Sequence, residues 1–269
     1  MSSHMPSLQR LAEQTIKVAD LAPARQLCTV EPSWDVAHTA QWLDERRFDA
    51  APLRQDPIAR FVTVDDVSHR QGTAHDHSRP IDVPVVISES LPLLSLLDRL
   101  ERQPFLFVLD DTTPITTVKA IVTRADLQQL PVSMVAFGLI LTAEAAFDLL
   151  IDQTAPDTWL DQLSAGRREK LHEIFAARQK DNAEIGLLQC CNLDDRLTVA
   201  AKLGLWRHTW LPSRKAFERW TERLKRLRDT LAHGGGLLDA EPGWAGAIEL
   251  LKDVRRFADQ LWAAAHPQP

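Results

Sequence analysis

Apolar and polar positions change rhythm near residue 130. Before it, short apolar runs such as Phe105-Leu-Phe-Val108 alternate with amphipathic stretches, the pattern of strands and helices taken in turn. After it, apolar residues recur at steps of three and four and predict helices over about 134–153, 164–181, 193–202, 213–233 and 243–265. Ala155-Pro-Asp, Leu211-Pro-Ser and Glu241-Pro-Gly supply turns, and no alternating strand pattern intervenes. The expected class is α+β: a tail or helix over 1–20, a strand-containing domain over 21–130, and an all-α helical bundle over 131–269.

In the first domain one pattern occurs twice. A copy over about 27–70 runs from Cys28 through EPSWDVAHTAQWLDERRFDAAPL to IARFVTVDDV. A second over about 82–130 runs from Val83 through ISESLPLLSLLDRLERQPFLFVL to KAIVTRADL. Each reads strand, amphipathic helix, strand, strand, helix, and the recurrence near sixty residues marks an internal repeat. Both copies close a strand on threonine with aspartate three positions later: Thr63 with Asp66, and Thr123 with Asp126. An aspartate can accept from two ribose hydroxyls, and a threonine at a helix start can donate to phosphate. The same pair can also cap its own helix without any ligand.

The repeat resembles a tandem pair of CBS motifs, small βαββα units that bind adenine nucleotides. The resemblance implies that Thr63, Asp66, Thr123 and Asp126 grip ribose and phosphate of AMP, ADP or ATP as a regulatory ligand. Members of that family usually carry glycine just before the final strand, where this chain has Arg60 and Ala120. The larger departure at Arg60 favours the second copy. There Arg124 is adjacent in sequence to meet a phosphate, and the strand beginning at Phe105 is apolar enough to hold adenine. Between the copies His69, His75 and His77 lie in a polar, turn-rich linker, which reads as a solvated loop, and no metal site is expected.

In the helical half, Phe217, Trp220, Leu224, Leu227 and Leu231 draw one apolar stripe, and Gly234-Gly-Gly236 stops the helix. His233 therefore falls at the helix end. Arg228 stands five residues before it, about 140° away around an ideal helix, so the two share no narrow face. RNA carries its own nucleophile in the 2′-hydroxyl; a protein that cleaves it must move protons and steady charge on the phosphate. A histidine titrating near neutrality suits the first task and a forked, permanently charged arginine the second.

Arg228, Asp229 and His233 resemble, residue by residue, the ribonuclease motif of HEPN domains. That resemblance implies a homodimer whose two motifs meet at a helical interface and cut RNA without a metal, leaving a cyclic phosphate. Asp229 would orient either group, and members of the family more often carry asparagine there. Glu144 corresponds to an acid near the middle of the family's first long helix. Arg219, Arg223, Lys225 and Arg226 concentrate positive charge beside the motif and are candidates for RNA phosphates.

The chain as a whole has 269 residues, 31 Lys and Arg against 37 Asp and Glu, and a net charge of −6. That length carries two domains, each able to bury a core. Cys28, Cys190 and Cys191 are too few and badly placed for a disulfide framework, which predicts a reducing cytoplasm. The apolar run 132–144 reads as too short for a bilayer and better suited to a buried helix or a dimer interface, so no membrane is expected. The combined expectation is an adenine-nucleotide-regulated endoribonuclease acting as a homodimer on RNA. The alternatives are a non-catalytic nucleotide-sensing adaptor, suggested by the acidic charge and irregular first copy, and a toxin held in check by a protein partner.

Overall fold

The computed structural model describes residues 16–21, 27–111, 117–180 and 184–267. The expected N-terminal tail or helix over 1–20 lies outside these up to residue 15; its end is a short helix α1 (Val18–Leu21). The chain forms two compact units that divide between Val132 and Ser133.

The first unit holds both copies of the repeat, each built on a three-stranded sheet. In copy one, α2 (Val36–Arg46) precedes β1 (Ala50–Pro52), β2 (Arg60–Thr63) and the single-turn helix α3 (Val64–Val67). Asp35 caps α2, its carboxylate accepting from the His38 backbone N–H at 2.8 Å. In copy two, β4 (Val86–Ser88), α4 (Leu93–Arg102), β5 (Phe105–Leu109) and β6 (Val118–Thr123) follow in order. β4 pairs parallel to β5, and β5 antiparallel to β6. The α4 leucine stripe, Leu93, Leu94, Leu96, Leu97 and Leu100, is buried throughout.

Three expectations are corrected here. The opening strand of copy one contracts to one parallel bridge, Val30 with Leu53. The closing helices contract to the four residues of α3 and to a 3-10 turn over Arg124–Gln128. Physically, each is cut off by its own sequence: His69 takes a left-handed φ of 58° after α3, and Pro131 opens a new helix just after the turn. The linker, expected to be loop alone, contributes β3 (Arg79–Pro80), which extends the first sheet as β1-β2-β3. Pro80 is tolerated because β3 is an edge strand.

Two cores result. One lies within copy one around Val30, Leu43, Leu53 and Val62. The other draws on both copies: Phe61, Phe105 and Phe107 sit with ring centroids 5.2 to 5.8 Å apart, tilted or edge to face.

The described part of the second unit is helical, with α5 (Leu130–Thr154), α6 (Ala165–Lys180), α7 (Leu193–Leu203), α8 (Arg214–Ala232), α9 (Leu237–Ala240) and α10 (Trp244–Ala265). Asn192 and Asp195 close a capping box at the start of α7, and Ser213 caps α8. Phe147 of α5, Phe217 of α8 and Phe257 of α10 meet at 5.7 to 6.4 Å in its core. At 25 residues α5 is longer than the run read from sequence, and by length and composition it could cross a membrane. More than half of its most apolar stretch is instead buried by the protein, while Met134, Leu141 and Leu149 remain exposed.

Candidate functional site

The Thr/Asp pairs of the two copies have the same local geometry. In copy one the Thr63 hydroxyl donates to Asp66 Oδ2 at 2.8 Å, and the Thr63 backbone N–H donates to the same oxygen at 2.9 Å. In copy two the Thr123 backbone N–H and hydroxyl donate to Asp126 Oδ2 at 2.7 and 3.0 Å. Both are capping boxes, a strand handing over to a helical turn with the first donors satisfied.

Their surroundings differ. Arg79, from β3, donates from Nε and Nη2 to Asp66 Oδ2 at 2.9 and 2.8 Å, and from Nη2 to Thr63 Oγ1 at 2.9 Å. In copy two the remaining oxygen of Asp126 accepts from the Gln129 amide at 2.6 Å, and that amide also donates to the Leu21 carbonyl at 3.0 Å.

Two residues assigned to the nucleotide have other partners. Arg124 turns back to the end of α4, donating to the Leu100 and Glu101 carbonyls at 2.8 and 3.0 Å, so its guanidinium is engaged as a helix C-cap. Phe105 is buried in the shared aromatic core, with no free face for adenine. Sequence reasoning missed Arg79 and Gln129. Arg79 sits in a polar stretch without periodicity, and the adjacent Pro80 at a strand edge is the one signal that could have drawn attention to it.

In the helical unit, the last turn of α8 is tightened. The His233 N–H is shared between the Asp229 and Thr230 carbonyls at 3.1 and 3.2 Å, and Gly235 N–H returns to Thr230 at 2.9 Å. Gly234 takes a φ of 78°, and a β-carbon on Gly235 would fall 2.6 Å from Thr230 Cγ2. Glycine is required at both positions for this turn. His233 is thereby fixed at the helix end with its side chain exposed.

Arg228 lies on another face, as its spacing predicts. Its side chain is half-buried, Nη1 is 3.0 Å from Asp229 Oδ1, and Nε has no hydrogen-bond partner among the described residues. Burial raises the Glu144 carboxyl above its ordinary value, opposed by the charges of Arg196 and Arg228. Arg196 is itself almost fully buried. It holds Asp148 bidentately at 2.6 and 2.9 Å, reaches Glu144 Oε2 at 3.3 Å and also donates to the Cys191 carbonyl. Burial pushes the Cys191 thiol up to about 12, so it stays protonated at neutral pH.

Of the basic residues expected to meet RNA, Arg223 pairs with Glu241 at 3.1 Å, and Lys225 pairs with Asp194 and Glu222 at 3.0 and 2.6 Å. Arg219 and Arg226 are exposed and pair with no acid among the described residues. Seven residues apart, they share a face of α8, and His233 follows Arg226 by another seven.

The described residues form a mixed α+β protein, with two three-stranded sheets in the N-terminal part and a helical C-terminal region. No protein-family model matches it, and no curated protein matches its sequence. Solved structures resemble its N-terminal part. A structure of CBSX2 in complex with AMP is 21% identical, over 42% of this chain and 93% of that one, with a TM-score of 0.36. The CBS domain of a bacterial CNNM/CorC family Mg2+ transporter in complex with ATP is 18% identical, over 45% and 92%, with a TM-score of 0.35. The CBS-pair protein CBSX2 from Arabidopsis thaliana is 22% identical, over 41% and 90%, with a TM-score of 0.34.

Proposed function

We propose that the chain is an adenine-nucleotide-responsive, metal-independent endoribonuclease that acts as a homodimer. The nucleotide is held in the second copy, with Asp126 accepting from ribose hydroxyls and Thr123 donating to phosphate. Arg124 and Phe105, engaged elsewhere, take no part.

The observation that carries the ribonuclease reading is the exposed His233, fixed at the tightened end of α8 in line with the exposed Arg219 and Arg226, which pair with no acid among the described residues. Those two arginines draw the RNA backbone onto that face. His233 takes the proton of the ribose 2′-hydroxyl, whose oxygen attacks the phosphorus. The P–O5′ bond breaks, the 5′-oxygen takes a proton from water, and a cyclic phosphate remains. Arg228 faces elsewhere on its own helix, so a phosphate that meets both residues receives them from two chains. Asp229, 3.0 Å from Arg228, keeps that guanidinium oriented.

A second reading has its own observation. Arg228, Arg223 and Lys225 already have acidic neighbours within their own chain, as structural ion pairs would. This suits a non-catalytic nucleotide-sensing adaptor.

Incubating the full-length protein with total RNA in EDTA, with and without ATP or AMP, beside His233→Ala separates the two. The expected result is cleavage that persists without metal, responds to nucleotide and is lost in the variant. Cleavage unchanged by His233→Ala would remove His233 from the chemistry, and intact RNA under every condition would favour the adaptor.

A further inference from the structure

We propose that Arg79 is a built-in occupant of the first Thr/Asp pair, so that each chain takes one adenine nucleotide, at Thr123 and Asp126, while copy one is closed by its own cation. The proposal rests on the nucleotide reading above and specifies where that reading applies.

Strand register places Arg79 there. β3 pairs with β2 so that Arg79 stands opposite Phe61, and Thr63, two residues along β2, projects from the same face as Phe61. The guanidinium lies 5.3 Å from the centre of the Phe61 ring and extends to Asp66 Oδ2 and Thr63 Oγ1. It thus covers both groups that would grip a ribose and a phosphate.

A second arginine anchors the strand. Arg60 donates from Nε to the Ser78 hydroxyl at 2.7 Å and from Nη2 to the Ser78 carbonyl. Ser78, directly before Arg79, is buried, and its hydroxyl donates to the His75 carbonyl at 2.7 Å. Arg60 stands at the position where copy two has the small residue Ala120. That difference and the plug belong together: one arginine fixes the segment from which the other reaches the site.

Copy two lacks both parts. Its counterpart of Arg60 is Ala120, and its sheet is β4-β5-β6, with no strand added beyond β6 among the described residues. Among the described residues Asp126 meets uncharged donors alone, so an incoming ribose hydroxyl exchanges with the Gln129 amide, one neutral donor for another. At copy one the guanidinium, held by charge-assisted bonds to Asp66 Oδ2 and bonded to Thr63 Oγ1, lies across the two groups that a ribose and a phosphate would approach together.

Calorimetric titration of the full-length protein with ATP and with AMP tests this by stoichiometry. One nucleotide per chain is expected for the wild type, none for Asp126→Ala, two for Arg79→Ala, and one for Arg79→Ala combined with Asp126→Ala. Arg79→Met, which keeps an unbranched side chain but removes the cation and its donors, is expected to follow Arg79→Ala, and thermal melts identify any variant that fails to fold. A stoichiometry of two in the wild type, or of one that persists in both Arg79 variants, overturns the plug alone. Absence of uptake by the wild type and by every variant overturns the nucleotide reading itself.

Discussion

In copy one a carboxylate that accepts from its own threonine also carries a cation, whereas in copy two the corresponding carboxylate meets, among the described residues, uncharged donors: the Thr123 N–H and hydroxyl and the Gln129 amide. The shared part is local: threonine and aspartate three positions apart, at a strand end, form a capping box wherever a helical turn begins. The part that differs comes from a distance. Arg79 is 13 residues beyond Asp66, and it arrives only because the linker adds a strand. A repeated motif therefore fixes a local conformation twice, but availability of its oxygens is set by residues outside the motif.

The most severe test of this comparison is Phe107→Ala. Phe107 is fully buried and touches Phe61 of the other copy as well as Phe105. Its removal is expected to cost about 3–5 kcal/mol, with one cooperative denaturant transition shifted to lower midpoint. Two separate transitions would mean that the copies differ in stability as well as in site chemistry.

A smaller and more pointed contrast comes from the caps. Thr123→Ala should cost about 1 kcal/mol as an ordinary lost cap. Thr63→Ala should cost more, because Thr63 Oγ1 also accepts from Arg79. Equal losses in urea denaturation would show that the Arg79 contact contributes nothing to copy one.

The smallest effect is expected in acid. Backbone and side-chain bonds from Thr73 hold Asp76 of the linker below its ordinary 3.8, and the hydroxyls of Ser88 and Ser90 hold Asp111 of copy two below 3.8. A depressed folded-state pKa stabilises the fold above the unfolded value, and this is lost as pH falls through the folded one. Fluorescence-monitored acid unfolding below about pH 4 should therefore be flattened slightly by Asp76→Asn and by Asp111→Asn. A steeper acid limb in either variant would contradict the assigned bonds.

Long-period features were the most legible in the sequence. The helix expected over 213–233 is Arg214–Ala232, because the Phe217-to-Leu231 stripe, the Ser213 cap and the Gly234 stop agree. The helix over 134–153 begins earlier, at Leu130, since Pro131 suits a first turn and gives no periodic signal. β3 was not legible: two residues cannot show alternation. Nor was the burial of Phe105, because a continuous apolar strand does not say which element covers it. At the candidate sites the residue types and the different directions of Arg228 and His233 could be read from spacing. Arg79 could not, because its place depends on a pairing register rather than a motif.

Arg196, almost sealed from solvent, holds two carboxylates, Asp148 and Glu144, that lie 48 and 52 positions earlier in the chain. Losing Arg196 leaves two half-sealed carboxylates without their cation, a loss of about 3–5 kcal/mol, whereas exchanging all three for packed apolar side chains can leave stability unchanged. Mutations at 144, 148 and 196 are therefore not independent events. A change at 196 is tolerated best when 144 and 148 change with it, so three positions far apart in the chain behave as one unit.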